Sequence, residues 1–260
     1  MPRTRARAAA RVLAALVSLA VVAGGCGGAA GGGGTEQLTV FAASSLTEVL
    51  TKLAAVFEAD HPGIEVRLNF AASSTLARQI HSGGQADVLI VADHHSMESV
   101  TAAGEARNPR VVARSRMMLL VEPGNPKVIR SLAEVAQGDI VFVVCAPEVP
   151  CGRLAARLLA HAGLGDLRPV SLEANVKAVV AKVTLGEADA GLVYATDVKA
   201  AGDDGEGIEV EGADDPALHA VYWAAVVRDS AQGDTARAFL GLIDTQRGRD
   251  LFAGAGFSPP

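Results

Sequence analysis

From Leu38 onward, short apolar runs alternate with longer segments whose apolar residues recur at helical spacing. Such alternation marks a sheet covered by helices on both faces. Residues 38–43 predict a first strand. Leu46, Val49, Leu50, Leu53 and Phe57 then share one helical face, so a helix is predicted over 46–59, stopped by His61-Pro62-Gly63. A strand over 64–70, a short helix over 76–81 and a buried strand over 87–92 follow. The run 111–121 is apolar and partly β-branched, and the turn cluster Glu122-Pro123-Gly124-Asn125-Pro126 ends it, with a crossing between lobes expected near Arg114. Beyond it the pattern predicts strands over 140–145, 190–194 and 220–227, and helices over 154–161, 176–185, 235–244 and 249–253. His94-His95 reads as a solvated loop rather than a metal site, because adjacent residues point apart on any regular element. Residues 202–215, acidic and Gly-rich, read as another loop. Asp87 and Asp189 read as exposed strand starts, Tyr222-Trp223 as core or hinge packing, and no repeat of fixed period is evident.

The N-terminal segment changes the picture. Arg3, Arg5, Arg7 and Arg11 precede an apolar run, Val12 to Ala23, that is too short to span a bilayer, so residues 1–25 read as an export signal. Cys26 follows small residues at the place where bacterial lipoproteins are cut and acylated, although Ala23 stands where leucine is commonest. Residues 26–36 therefore read as a lipidated cysteine and a flexible Gly-rich tether outside the fold. Of the 23 basic residues four lie in the signal, with no acid beside them, leaving 19 against 29 acidic ones and a balance of −10. That balance excludes nucleic acid as a partner, and it requires any anion site to work through local, oriented dipoles. Aromatics at 4% argue against a sugar-binding cleft. Three cysteines are an odd count for an exported chain. With Cys26 acylated, Cys145 and Cys151 remain as a disulfide pair in an oxidising compartment, the competing reading being a nucleophilic Cys151 at a helix start.

Four junctions share one feature, a strand ending in small or hydroxyl residues just before a helix. They are Ala42-Ala43-Ser44-Ser45-Leu46-Thr47, Ala71-Ala72-Ser73-Ser74-Thr75-Leu76, Pro150-Cys151-Gly152-Arg153 and Asn175-Val176-Lys177. Ligands of open α/β sheets bind beyond the carboxyl ends of strands, where helix starts leave N–H groups unpaired. Each serine taken alone is equally an ordinary N-cap. Together the junctions point to an anion or polar ligand. Lys177 and Arg78 lie on amphipathic helices, where a solvent-facing role is expected.

The segments Val40–Thr47, Ser74–Ile80, Ala86–Ile90 and Gly186–Tyr194 resemble, in order, the periplasmic molybdate-binding proteins, and the likeness runs from Leu38 to Gly256-Phe257. The resemblance implies an α/β fold, a two-lobed periplasmic-binding-protein-like clamshell in which each lobe is a mixed sheet flanked by helices. Lobe 1 would comprise 37–114 and 220–260, and lobe 2 would comprise 115–219. It implies a monomeric, extracytoplasmic binding protein, not an enzyme, that needs no cofactor. Such a protein captures molybdate or tungstate for the membrane permease of an ABC importer, with the membrane reached through the lipid on Cys26. Carried over by position, the ligand contacts are the hydroxyls of Ser45, Ser74 and Tyr194 and the backbone N–H groups of Cys151 and Val176, where Cys151 replaces an alanine of other members. A donor-only ring suits a bare dianion, whereas phosphate keeps a proton near neutral pH and would leave a donor unmatched. Two alternatives stay open: another small oxyanion such as sulfate, and a serine or cysteine hydrolase, for which no G-x-S-x-G elbow is present.

Overall fold

The computed structural model describes Thr35–Pro260; the export segment, Cys26 and nearly all of the tether lie outside the described residues. The short apolar runs become strands of two five-stranded sheets. In the first, β1 (Glu36–Ala43), β2 (Ile64–Ala71) and β3 (Val88–Val91) are parallel. β4 (Ala106–Ser115) belongs to the same sheet, and after Arg116 the chain enters the second sheet as β5 (Met117–Val121). There it adds β6 (Phe142–Cys145), β7 (Ser171–Glu173), β8 (Ala190–Tyr194) and β9 (Glu206–Ile208). β10 (Ala220–Val227) returns to the first sheet and runs antiparallel between β3 and β4.

The orders β2-β1-β3-β10-β4 and β7-β6-β8-β5-β9 are one arrangement used twice: three parallel strands, an antiparallel one and an edge. Helices α1 (Thr47–Asp60, after a 3-10 turn at Ser44–Leu46), α2 (Ser73–His81) and α3 (His94–Ala102) follow the strands of the first sheet. α4 (Leu132–Gln137), α5 (Pro150–His161), α6 (Val176–Thr184) and α7 (Ala195–Ala201) accompany the second. α8 (Gly233–Ile243) and α9 (Gln246–Gly254) pack back on α1. The apolar stripe foreseen for α1 is the face that is buried, and the core it joins runs continuously through both sheets.

Several expectations are corrected. Glu36 is in the fold, since its N–H donates to the Gly63 carbonyl (2.8 Å) and its carboxylate accepts from Thr235 (2.7 Å). His94-His95 opens α3, because the Asp93 carboxylate accepts from the Ser96 N–H (3.0 Å) and caps the helix. The acidic stretch 202–215 contains a 3-10 turn and β9. Asp87 and Asp189 are not exposed; each clips the start of a central strand to its parallel neighbour. The Asp87 carboxylate accepts from the Thr39 N–H (2.7 Å) while the Asp87 N–H donates to the Thr39 carbonyl (2.8 Å). Asp189 and Val141 repeat the pair at 2.6 and 2.9 Å in the second sheet.

Removing the Asp87 clip leaves the half-buried Thr39 N–H without a protein partner, a cost of up to about 1–3 kcal/mol. Asp87→Ala is therefore expected to lower stability by about 2 kcal/mol and Asp87→Asn by less, measured by urea unfolding. Equal stability of Asp87→Ala and the wild type would show that the clip contributes nothing.

Candidate functional site

Four strands, β1, β2, β6 and β7, end at one place, and the four helices that follow them begin there. Every helix start carries N–H groups with no preceding turn to accept them, so the topology concentrates donors between the two sheets. A small cavity of about 10 Å³ lies among them. That is space for one small group and far below the volume of a site for a sugar or cofactor.

The first sheet contributes Ser44 and Ser45 from the 3-10 turn and Ser73 from α2, and the second contributes Cys151, Val176 and Tyr194. Of the five residues expected to contact a ligand, Ser45, Cys151, Val176 and Tyr194 line this cavity. Ser74 does not, although its hydroxyl is buried without a protein partner; the lining serine of that pair is Ser73. The Ser73 Oγ accepts from the Ala92 N–H (2.9 Å). Ser45 Oγ is paired with the hydroxyl of Tyr222 (2.9 Å), a residue 177 positions away that the sequence presents only as strand core. Tyr194 is buried and its hydroxyl has no protein partner, an arrangement that a folded chain rarely leaves without a ligand or water.

The Cys151 end is rigid. Cys145 and Cys151 form the expected disulfide, with Cα atoms 5.7 Å apart. A thiol so bound is not a nucleophile. Gly152 lets the first turn of α5 approach the preceding loop, since a Cβ there would stand 2.7 Å from the Cys145 carbonyl oxygen and closer still to that of Ala146. The Asn175 side chain caps α6 by accepting from the Ala178 N–H (3.1 Å), and Val176, the first residue of that helix, lines the cavity.

No charged side chain lines the cavity among the described residues. Burial holds the Tyr194 phenol well above its ordinary pKa, so it remains an O–H donor. Charges stand one step back and are paired across the sheets. Arg153 on α5 donates from Nε to Asp93 beyond β3 (2.9 Å). Lys177 on α6 reaches Glu48 on α1 (2.8 Å) and Asp197 on α7 (3.0 Å), so it bridges rather than faces solvent. Burial raises Asp197 to about 6, against the opposing pull of Lys177. Burial would lower Lys177, but Asp197 and Glu48 outweigh it and hold it above the usual lysine value. Arg78 is exposed and donates to Thr75 (2.9 Å).

Two α/β halves of one topology, with a neutral donor-lined cavity between them, define a binding protein of the clamshell type. Residues 38–258 match the family of bacterial extracellular solute-binding proteins, and the chain belongs to that family. The chain is 38% identical over 224 residues to the molybdate-binding protein ModA of Mycobacterium tuberculosis H37Rv, spanning 86% of this chain and 85% of that one. The periplasmic molybdate-binding protein of Azotobacter vinelandii is similar with a TM-score of 0.76 at 21% identity, over 86% of this chain and 99% of its own. The sulfate-binding protein SubI of M. tuberculosis H37Rv gives 0.74 at 19%, over 86% and 87%. These structural likenesses bear on fold, which is the two-lobed mixed-sheet clamshell expected from the sequence.

Lys177→Met would strand the Asp197 carboxylate. A group whose folded pKa lies above its unfolded value of 3.8 favours the fold at low pH, and that contribution is lost as pH rises through the folded value. The variant is expected to lose about 2 kcal/mol at pH 7.5, discounted for the partial exposure of Lys177 and Glu48. The deficit should shrink below pH 5, where Asp197 is protonated. Thermal unfolding between pH 4.5 and 8 checks this, and a deficit independent of pH would rule it out.

Proposed function

We propose that this protein captures molybdate, and with it tungstate, outside the cytoplasm and delivers it to the permease of an ABC importer. The observation that carries the reading is a one-ion cavity lined by donors from four helix starts and three serines, with a buried Tyr194 hydroxyl lacking a protein partner. Such a ring satisfies an ion that offers only acceptors, and it does so without a buried countercharge. Tyr194 and the Cys151 and Val176 N–H groups would act from the second sheet, and Ser45 with its neighbours Ser44 and Ser73 from the first. The kinship with molybdate-binding proteins supports the same ion. Sulfate is the second reading, because it too is a bare dianion and only size separates the two. A hydrolase is disfavoured, since Cys151 is tied in a disulfide and the partner of Ser45 is a tyrosine.

Molybdate and tungstate are expected to raise the melting temperature at micromolar concentration, with sulfate weaker and phosphate without effect. Hydrogen bonds to a charged acceptor contribute about 1.5–3 kcal/mol each, so Ser45→Ala should weaken molybdate binding about ten- to a hundredfold by calorimetry. Val176→Ala should do far less, because the donor is main chain. A melting temperature unmoved by any oxyanion would overturn the reading.

The anchor belongs to the same proposal. Export followed by acylation of Cys26 would keep the protein at the outer face of the membrane, at the end of its Gly-rich tether. Mass spectrometry of the membrane fraction should find a mature N-terminus at acylated Cys26; a soluble product starting elsewhere would refute it.

A further inference from the structure

A hydroxyl that meets an anion must present its hydrogen, yet it is free to rotate and to present a lone pair instead. The two serines that line the cavity from the first sheet and have protein partners are each held against that rotation. At Ser73 the sense is unambiguous: the Ala92 N–H can only donate, so Ser73 Oγ accepts and its own hydrogen is left for the cavity. Ser45 is the parallel case, except that its partner is another hydroxyl, that of Tyr222 at 2.9 Å. Tyr222 is wholly buried on β10, and its ring is fixed edge-on against Phe257 with centroids 5.1 Å apart. Burial also keeps its phenol protonated across the working pH range.

We infer that Tyr222 is a positioning residue that donates to Ser45 and thereby fixes Ser45 as a donor toward the cavity, which sets discrimination against oxyanions that carry a proton. The inference rests on the oxyanion reading above. With Tyr222 donating, one of the two Ser45 lone pairs is engaged behind it and its hydrogen is available to the ion. Were the sense reversed, Ser45 would turn a lone pair on a dianion, and the site would accept a protonated oxygen as readily as a bare one. One of the two lone pairs that would otherwise accept an acidic O–H is thus occupied from behind, as on Ser73 by the Ala92 N–H, which favours the hydrogen toward the ion.

Tyr222→Phe keeps the ring and removes the donor. In calorimetric titrations with molybdate and with inorganic phosphate at pH 7, molybdate affinity should fall about tenfold, one hydrogen bond's worth. Phosphate affinity should hold or rise, so that the ratio of the two falls by at least tenfold. In the Ser45→Ala background the same substitution should have no further effect on molybdate binding. A purely structural role would weaken both anions by one factor and add to Ser45→Ala, and either result overturns the inference while leaving the oxyanion reading intact. Failure of the wild type to bind any oxyanion overturns the reading itself. One measurement needs no variant: in the molybdate-loaded wild type, a slowly exchanging hydroxyl proton should show its nuclear Overhauser contacts to the Tyr222 ring. A bridging proton scalar-coupled to the Ser45 methylene would reverse the assignment and sink the proposal even if Tyr222→Phe did not fold.

Discussion

A buried ion without a countercharge is tolerable only if each of its lone pairs meets a donor, and a folded chain has few donors to spare. Helix starts are the standing exception, since their first N–H groups have no partner within the helix. The architecture follows from that constraint. Parallel strands return through helices, so the carboxyl ends of β1, β2, β6 and β7 each lead into a helix start at the same edge of their sheet. Repeating one topology in two sheets brings two starts from each to face the other pair. Neither sheet alone can surround an ion, so on the proposed reading a bound ion would be the element that satisfies both.

Leaving charge out of the cavity is a choice of specificity over attraction. A lysine at 3–4 Å would draw any anion with little regard to geometry, whereas N–H and O–H groups act along directions and reject a ligand whose own hydrogens point back at them. The charges that are present are spent on each other. Arg153 with Asp93, and Lys177 with Glu48, tie the helices of one sheet to those of the other on either side of the cavity. With their charge neutralised in pairs, they hold the halves together without presenting a field that competes with the donor ring. With ten more acids than bases over residues 26–260, the chain's overall charge would not draw an anion in, and on the proposed reading that local arrangement is what would bind one.

What the sequence made legible was whatever has a period or a junction. Ala190–Tyr194 and Ala220–Val227 were read to the residue because both are uninterrupted apolar runs with clear stops. The junctions pointed to an anion or polar ligand, and the resemblance to the molybdate-binding proteins singled out Ser45, Cys151, Val176 and Tyr194, which line the cavity. Between Ser73 and Ser74 the sequence has no means to choose, since neighbours at a helix start differ only by a rotation of about 100°. β7 and β9, of three residues each, are too short to show alternation. The Asp87 and Asp189 clips were hidden because an acid at a strand start looks alike whether it faces water or a neighbouring N–H. Tyr222 was hidden more deeply: in an apolar strand a tyrosine reads as core, and its hydroxyl partner lies in a segment brought near only by the insertion of β10 beside β3.

Rigidity is distributed unequally around the cavity, and that has a consequence for binding. At α5 the disulfide, the close approach at Gly152 and Pro150 in the first turn leave the Cys151 N–H almost no freedom. Ser45 and Ser73, by contrast, are held by single hydrogen bonds to Tyr222 and to the Ala92 N–H. Ordering a loose group on binding costs about 0.5–1.5 kcal/mol per side chain, and a donor fixed beforehand avoids that cost. Fixed N–H groups in the second sheet can therefore set the position of a bound ion, while in the first sheet the hydrogen bonds behind Ser45 and Ser73 limit how far their hydroxyls turn. A serine whose rotation is already restricted to one useful sense combines both advantages, which is why the groups behind the serines matter as much as the serines themselves.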